Sequence, residues 1–272
     1  MNAALHFSKY QALGNAYVVL PVLPDDAPAA PILVPYLCDW RIGVGSDGVL
    51  FGPLPSAAAN FRLRIFNPDG GEAEKSGNGL RIFARYLWDK GLVKDESFTI
   101  ETAGGVVSAQ VLEAGHQVRV DMGRVDFLNS AILEQVQSGG KNLSICRVSI
   151  GNPHCVVLMQ HPTEAVARRL GPLLESHPSF QGRTNVQFME ALDRHNIRIE
   201  IWERGAGYTF ASGSGSCAAA AVAYKLGLVD GNVTVQMRGG SVSVELQEDY
   251  RAVLTGAVTH ICDGVLSLDG IG

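Results

Sequence analysis

Two short turns carry the residue types best suited to hold an anion, and both follow the pattern Ser-Gly-x-Gly. They are Ser76-Gly77-Asn78-Gly79 and Ser212-Gly213-Ser214-Gly215. A run compatible with a helix follows each turn. Each turn therefore predicts a helix N-terminus, where backbone N–H groups lack partners and the helix dipole is positive. Glycine lets a ligand approach the backbone, which favours a carboxylate or phosphate there. Serine is also an ordinary helix N-cap, so each turn alone has a purely structural interpretation.

The two turns belong to an internal duplication of the chain. An ungapped alignment at an offset of 136 places Ser76 on Ser212. Two copies are too few for a solenoid, so the simpler interpretation is a pair of lobes with pseudo-twofold symmetry. Because two positive helix ends that converge require an anion between them, we expect the active site where the two turns meet between the halves. The matching segments are 62–93 with 198–229, 99–105 with 234–240, and Gly14-Asn15 with Gly151-Asn152.

Each copy predicts the same order of elements around its turn. A β-rich run is followed by the glycine-rich loop, a helix too apolar to be half-exposed, and alternating strands. The predicted fold class is α+β, with two lobes that each wrap a β-sheet or barrel around one buried central helix. We expect lobes at 1–127 and 128–272, a link at 128–142, and a last strand (about 262–272) that returns to the first lobe. The predicted elements are strands 61–66, 197–202, 97–102 and 233–237, and helices at about 79–90 and 215–226.

Composition excludes several classes of function. The chain has 272 residues, of which 46% are hydrophobic, and a net charge of −5, which argues against a nucleic-acid surface. No apolar run approaches the roughly 20 residues that span a bilayer, so no membrane is expected. Five cysteines without CxxC spacing indicate reduced thiols in a cytoplasmic protein, and no metal site. The GxGxxG match at 43–48 precedes a strand-like run at 49–51 where a dinucleotide site needs a helix.

Longer segments resemble the diaminopimelate epimerase family over nearly the whole chain. The resemblance implies two lobes, a site in the cleft between them, neither metal nor pyridoxal phosphate as cofactor, a small amino-acid substrate and, on this ground alone, a homodimer. It implies that Asn15, Asn67, Asn152, Asn185, Glu203 and Arg204 hold the substrate, while Gly77, Asn78, Gly213 and Ser214 at the helix ends hold its α-carboxylate. The segments that carry the resemblance are 9–15, 43–48, 65–74, 77–79, Gly151-Asn-Pro-His154, Arg183-Thr-Asn-Val186 and Glu203-Arg-Gly205.

The two catalytic positions depart from the family pattern. In the family, one cysteine removes the α-proton and a second returns a proton on the opposite face, but here those positions are Ser76 and Ser212. A thiol titrates near 8.5 and a water-like hydroxyl near 15.7, a difference on the order of 9 kcal/mol as an upper bound. Cys217, inside the second helix, is no obvious substitute. Ala16 and Tyr208 also replace acidic residues of the family pattern.

Three explanations follow from these departures. The chain is an epimerase engineered with two Cys-to-Ser changes, or a natural homologue that still acts on an amino acid, or a fold relative with other chemistry such as double-bond isomerisation or dehydration. We predict a cofactor-independent isomerase of the family type, with Ser76 and Ser212 as the catalytic positions; a ligand-binding protein without turnover is the rival. If a carboxylate replaces the thiols, the candidates are Asp47, Asp69, Glu72 and Glu74.

Overall fold

A computed structural model describes residues 4–21, 30–128 and 131–267. The chain forms two compact units, one from Met1–Val120 with Gly256–Gly272 and one from Asp121–Thr255. The first unit thus ends seven residues before the predicted boundary at 127. Part of the predicted link at 128–142 is strand, and residues 129–130 lie outside the described part of the chain.

In its described residues, the first unit is a mixed sheet with two α-helices. Its strand order is β19-β1-β2-β3-β4-β6-β7-β8, with the short β5 also paired to β4. The pairs β2–β3 and β4–β6 are parallel, and a helix connects each. Strand β19 pairs with β1, and the rest of the predicted last strand (268–272) lies outside the described residues. The elements are β1 (Ala4–Ala12), β2 (Asn15–Leu20), α1 (Ala30–Cys38), β3 (Val49–Leu54), β4 (Phe61–Phe66), β5 (Glu72–Ala73), α2 (Gly77–Asp89), β6 (Phe98–Thr102), β7 (Gly105–Leu112), β8 (Gln117–Arg124) and β19 (Thr259–Ser267).

The second unit repeats this plan. Its order is β10-β11-β12-β13-β14-β16-β17-β18, with β15 on β14 and β9 also on β11. The pairs β12–β13 and β14–β16 are the parallel ones, again joined through helices. The elements are β9 (Asp126–Phe127), β10 (Glu134–Ser138), β11 (Lys141–Ser149), β12 (Pro153–Leu158), α3 (Glu164–Glu175), β13 (Asn185–Asp193), β14 (Asn196–Glu203), β15 (Gly207–Thr209), α4 (Gly213–Lys225), β16 (Asn232–Met237), β17 (Gly240–Leu246) and β18 (Arg251–Ala257).

Strand register confirms the duplication residue by residue. Phe61 lies opposite Ile100 in the first unit, and Ile197 opposite Val235 in the second, as the offsets of 136 and 135 require. The predicted α+β class is confirmed. Within the described residues, each unit contains a further helix, α1 or α3, besides the predicted central helix. The sequence did not predict these helices because they have no glycine-rich turn or internal match that would reveal them.

The two helices of each unit lie on opposite faces of its sheet. In the first unit Val18 and Val49 pack with Leu33 of α1 in one apolar cluster. Because side chains alternate along a strand, the neighbouring Tyr17 and Leu50 point to the other face, towards α2. In the second unit, Cys155 and Val186 pack with Leu170 of α3, which leaves His154 and Gln187 on the face towards α4. These alternate positions line the start of each central helix.

The central helices begin and end at matching residues. α2 and α4 each have 13 residues and start at Gly77 and Gly213, two residues before the predicted starts. Gly91 and Gly227 follow the C-caps with φ near +70°, the left-handed conformation that favours glycine after a helix. No helix among the described residues is long and apolar enough to span a bilayer.

Candidate functional site

The two serine turns have nearly identical geometry. Ser76 is the N-cap of α2, with φ −139° and ψ 117°, and Ser212 is the N-cap of α4, with φ −140° and ψ 118°. The N–H of Gly79 donates to Ser76 Oγ at 3.0 Å, and the N–H of Gly215 donates to Ser212 Oγ at 3.1 Å. Ser76 is half-buried and Ser212 is buried. The structural interpretation of each serine is therefore correct, and each hydroxyl also lies at a positive helix end.

In the first unit a tyrosine lies behind the serine. The phenol oxygen of Tyr17 is 3.2 Å from Ser76 Oγ, and either oxygen can be the donor. A Cβ at Gly48 would come within 2.5 Å of the Tyr17 ring, so the glycine that ends the GxGxxG match leaves room for this ring. The other wall is apolar, because the atom nearest to a Cβ at Gly79 would be Leu50 Cδ2 at 3.2 Å.

A polar chain runs from the predicted substrate residues into α2. Asn78 donates from Nδ2 to Asn15 Oδ1 at 2.9 Å, and Arg81 donates to Asn78 Oδ1 at 2.6 Å. Arg81 is fully buried in the second turn of the helix. The structure thus joins Asn15 to Asn78 through a hydrogen bond and places the buried Arg81 guanidinium beside the first turn of α2, which Ser76 caps.

In the second unit, an imidazole and an amide occupy the corresponding wall. His154 Nδ1 is 3.1 Å from Gln187 Oε1, and His154 Nε2 is 3.0 Å from Asn152 Oδ1. Gln187 is fully buried, and its Nε2 makes no hydrogen bond to any described residue. A Cβ at Gly215 would lie 2.8 Å from this nitrogen and 2.9 Å from Ser212 Oγ. The Gln187 amide therefore points at the turn that carries Ser212.

Burial keeps this histidine neutral near pH 7. Loss of water around the ring lowers the pKa of His154 to about 4, although the hydrogen bond to Gln187 acts in the opposite direction. A neutral imidazole carries one N–H, so it can donate to only one of the two amide oxygens, Gln187 Oε1 or Asn152 Oδ1, at a time. His154 orients Asn152 and Gln187 and does not act as a charged group.

A buried carboxylate holds the loops of the second unit in place. Glu175, at the end of α3, accepts from the Trp202 indole at 2.7 Å and from the Gly205 N–H at 2.8 Å, and it pairs with Arg183. Asn185 accepts from the Arg204 N–H at 3.0 Å and donates to the Pro153 carbonyl at 2.9 Å. Both ends of the Asn185 amide thus have backbone partners, so this side chain also holds neighbouring loops in position.

The other predicted substrate residues lie at element ends. Asn67 is exposed just after β4, where its N–H donates to Gly71 and its carbonyl accepts from Gly70. Glu203 ends β14 and is half-buried beside Arg204. Gly77, Gly213 and Ser214 are buried in the first turns of α2 and α4. These positions agree with a site around each helix N-terminus, although the described contacts do not join Asn67 or Glu203 to the serines.

The four alternative carboxylate bases have other partners. Asp47 accepts the Ala16 N–H at 2.7 Å and Asp69 accepts the Gly71 N–H at 2.9 Å. Glu72 forms a bidentate pair with Arg64, whose guanidinium lowers the pKa of that carboxyl. Glu74 is also engaged in an interaction. The contacts of Asp47, Asp69 and Glu72 do not involve Ser76.

The Cys146 and Cys217 thiols are buried, and Tyr208, which replaces a glutamate of the family pattern, is held by its neighbours. Cys217 is fully buried inside α4, and burial raises the pKa of Cys146 to about 11. Tyr208 donates to Glu200 at 2.6 Å while Arg168 lies over its ring. Burial and the Glu200 hydrogen bond raise the Tyr208 pKa. Among the described residues, no group of three His, Cys, Asp or Glu side chains could hold a metal ion.

Three residues of this constellation are absent from the sequence prediction: Tyr17, Gln187 and Glu175. A signal for the first was available. The offset of 137 that pairs Gly14-Asn15 with Gly151-Asn152 continues two residues further and pairs Tyr17 with His154. No signal existed for Glu175, because α3 itself was not predicted.

A similar fold occurs in a hydroxyproline epimerase from Agrobacterium vitis, with a TM-score of 0.77 and 17% identity over 99% of this chain and 94% of that chain. The profile of the diaminopimelate epimerase family matches residues 7–128 and 146–261. Diaminopimelate epimerase 2 of a Nostoc species is 49% identical over 97% of this chain and 96% of its own length. The enzyme of Moorella thermoacetica is 38% identical over 97% and 100%.

The chain belongs to the diaminopimelate epimerase family, and it is an isomerase of that type. The family expected from the sequence motifs is thereby confirmed.

Proposed function

We propose that this protein interconverts stereoisomers of diaminopimelate by removing and returning the proton on one α-carbon. The observation that carries the proposal is the pair of matching N-caps, Ser76 and Ser212. The family resemblance puts its two acid/base groups at these positions. Retention of hydroxyls at both positions favours a working, slower enzyme over a binding protein that has lost its chemistry.

Substrate recognition would use the helix ends and the surrounding amides. The first turns of α2 and α4, with Gly77, Asn78, Gly213 and Ser214, would hold the α-carboxylate through backbone N–H groups. The family resemblance assigns the rest of the substrate to six side chains. They are Asn15, Asn67, Asn152, Asn185, Glu203 and Arg204.

The serine hydroxyls set the expected speed. A hydroxyl is a much weaker acid than a thiol, and even half of the roughly 9 kcal/mol difference would slow the reaction by about a thousandfold. We therefore expect measurable but slow turnover.

The test is exchange of the α-proton with solvent deuterium. The protein is incubated in D₂O with LL-diaminopimelate and, separately, with a panel of other amino acids, and the label at Cα is followed by NMR. We expect label in diaminopimelate with the unmodified protein, and loss of that label in Ser76→Ala and Ser212→Ala. Absence of label in every amino acid of the panel contradicts the proposal, and binding without label favours the ligand-binding rival.

Restoring thiols supplies the matched control. The double variant Ser76→Cys/Ser212→Cys changes only the two acid/base atoms, and we expect it to exchange diaminopimelate faster than the parent. If the double variant exchanges and the parent does not, the remaining site is intact and the serines are the defect. If neither exchanges, the substrate assignment is wrong.

Compartment and assembly are also proposals. The five cysteines, all free, support a reducing cytoplasmic setting. A homodimer is supported only by the family resemblance, and sedimentation of the purified protein checks it.

A further inference from the structure

A second hydroxyl contacts Ser76 in the first unit. Tyr17 has only 6% of its surface exposed, and its phenol oxygen lies 3.2 Å from Ser76 Oγ. The equivalent position in the second unit is His154, whose ring nitrogens contact Gln187 and Asn152. Among the described residues, an ionisable hydroxyl in direct contact with the capping serine is therefore seen only in the first unit.

The phenol eases the difficulty that the missing thiol creates. A tyrosine titrates near 10, whereas a water-like hydroxyl titrates near 15.7. When the serine donates its proton to the substrate and at the same time accepts a proton from the phenol, the negative charge forms on the tyrosine oxygen and not on the serine oxygen. Such a pair acts as a far stronger acid than serine alone.

We propose that Tyr17 is the positioning residue of Ser76 and makes this serine a proton donor; the inference rests on the proposed function. In the step, the Ser76 O–H bond breaks and its proton goes to the substrate α-carbanion, whose electron pair forms the new Cα–H bond. The Tyr17 O–H bond breaks at the same time and its proton goes to Ser76 Oγ. The negative charge moves from the substrate to the phenolate, and Ser76 ends as a neutral hydroxyl.

Two features of the first unit stabilise the phenolate that this step leaves. The N-terminus of α2 carries the positive end of the helix dipole. Arg81 adds a fully buried guanidinium in the second turn, tied to the first turn through Asn78. In α4 the residue equivalent to Arg81 is Cys217, which carries no such positive charge. The surroundings of Ser76 thus favour a neighbouring anion more than those of Ser212.

The test removes one oxygen atom. Tyr17→Phe keeps the ring that packs against Gly48, so the fold should hold. We expect the kcat for deuterium exchange to fall by at least about tenfold, with KM within about twofold, as expected for a lost proton-transfer partner. A smaller fall in kcat, or a change confined to KM, overturns the proposal.

Tyr10→Phe is the matched control. Tyr10 lies opposite Tyr17 in the β1–β2 pair, but its phenol donates to Asp89 at the other end of α2, at 2.9 Å. We expect its kcat to remain within about twofold of the parent. Equal losses in the two variants would mean that any missing phenol disturbs the unit, which overturns a specific role for Tyr17.

A second readout does not need turnover. In Ser76→Cys, the rate of alkylation by iodoacetamide, followed on the peptide that contains residue 76, reports the thiolate fraction. A phenol that donates to this sulfur stabilises the thiolate, so adding Tyr17→Phe should slow alkylation about tenfold near neutral pH. An unchanged rate overturns the pairing. A slowed rate in a protein whose parent exchanges no amino acid supports the pairing and contradicts the proposed function alone.

Discussion

The two units share a backbone plan but place different side chains at equivalent positions beside their serines. Tyr17 corresponds to His154 and Leu50 to Gln187, so the first unit has a phenol and an apolar wall where the second has an imidazole–amide pair. One step further from the serines, Cys38 of α1 accepts from Ser46 at 3.4 Å. The corresponding Glu175 holds three donors in the second unit.

The comparison shows that the two copies of the duplication keep the same backbone geometry around the serine, while the side chains beside the serine differ. Matching caps need only serine, glycine and a helix, and both halves retain these. The side chains beside the capping serines are buried, and the backbone geometry does not determine whether they are polar or apolar.

The largest expected effect is on the pH dependence of stability, because the second unit has an ionisable imidazole, His154, at the position equivalent to Tyr17. The pKa of His154 is about 4 in the folded protein, against about 6.5 unfolded, so between these values only the unfolded chain binds a proton. Its contribution to stability is complete above pH 6.5 and is lost as the pH falls towards 4. The total loss is up to about 3 kcal/mol.

Urea unfolding of the parent and of His154→Gln at several pH values between 4 and 7 measures this effect. We expect the variant to be less stable near neutrality but to depend less steeply on pH in that window. Parallel pH dependences in the two proteins would show that His154 is not held neutral by burial.

A smaller effect separates the two helix starts. A Cβ at Gly215 would lie 2.8 Å from Gln187 Nε2, whereas a Cβ at Gly79 would find its nearest neighbour, Leu50 Cδ2, at 3.2 Å. We expect Gly215→Ala to lose about 2 kcal/mol from overpacking. Gly79→Ala should remain within about 1 kcal/mol of the parent, because the better helix propensity of alanine offsets the tighter contact.

The control for this pair of variants replaces Gln187, the side chain that a Cβ at position 215 would contact. Adding Gln187→Leu to Gly215→Ala gives the second unit the residue that the first has at position 50, and we expect part of the stability to return. Equal free energies of unfolding for Gly79→Ala and Gly215→Ala would indicate that the two walls do not differ in their packing.

Much of this arrangement could be predicted from the sequence, because it depends on local chemistry that repeats. The Ser-Gly-x-Gly pattern gave both caps, and strand β4 (Phe61–Phe66) was predicted with its observed bounds. The α+β class and the family followed from the duplication and the motifs. The predicted helix starts lie two residues after the observed ones, because the glycines at 77 and 213 do not indicate a helical turn.

The rest depends on which strands become neighbours. Tyr17 meets Ser76 across 59 positions of the chain, and Gln187 meets His154 across 33. Such contacts arise from parallel pairing through α1 and α3, two helices without a distinctive start signal. The site between the halves, the lobe boundaries at 127 and 128, and the substrate roles of the predicted residues remain predictions.

The most direct test of the comparison is the pKa of a thiol placed at each serine, read from the pH dependence of iodoacetamide labelling in Ser76→Cys and in Ser212→Cys. Position 76 is half-buried beside Tyr17 and the start of α2, and Ser212 is 2% exposed beside a neutral amide. Burial raises a thiol pKa, while a donor and a nearby cation lower it. We predict a pKa at least about one unit lower for the thiol at position 76. An equal or lower pKa at position 212 would contradict the account.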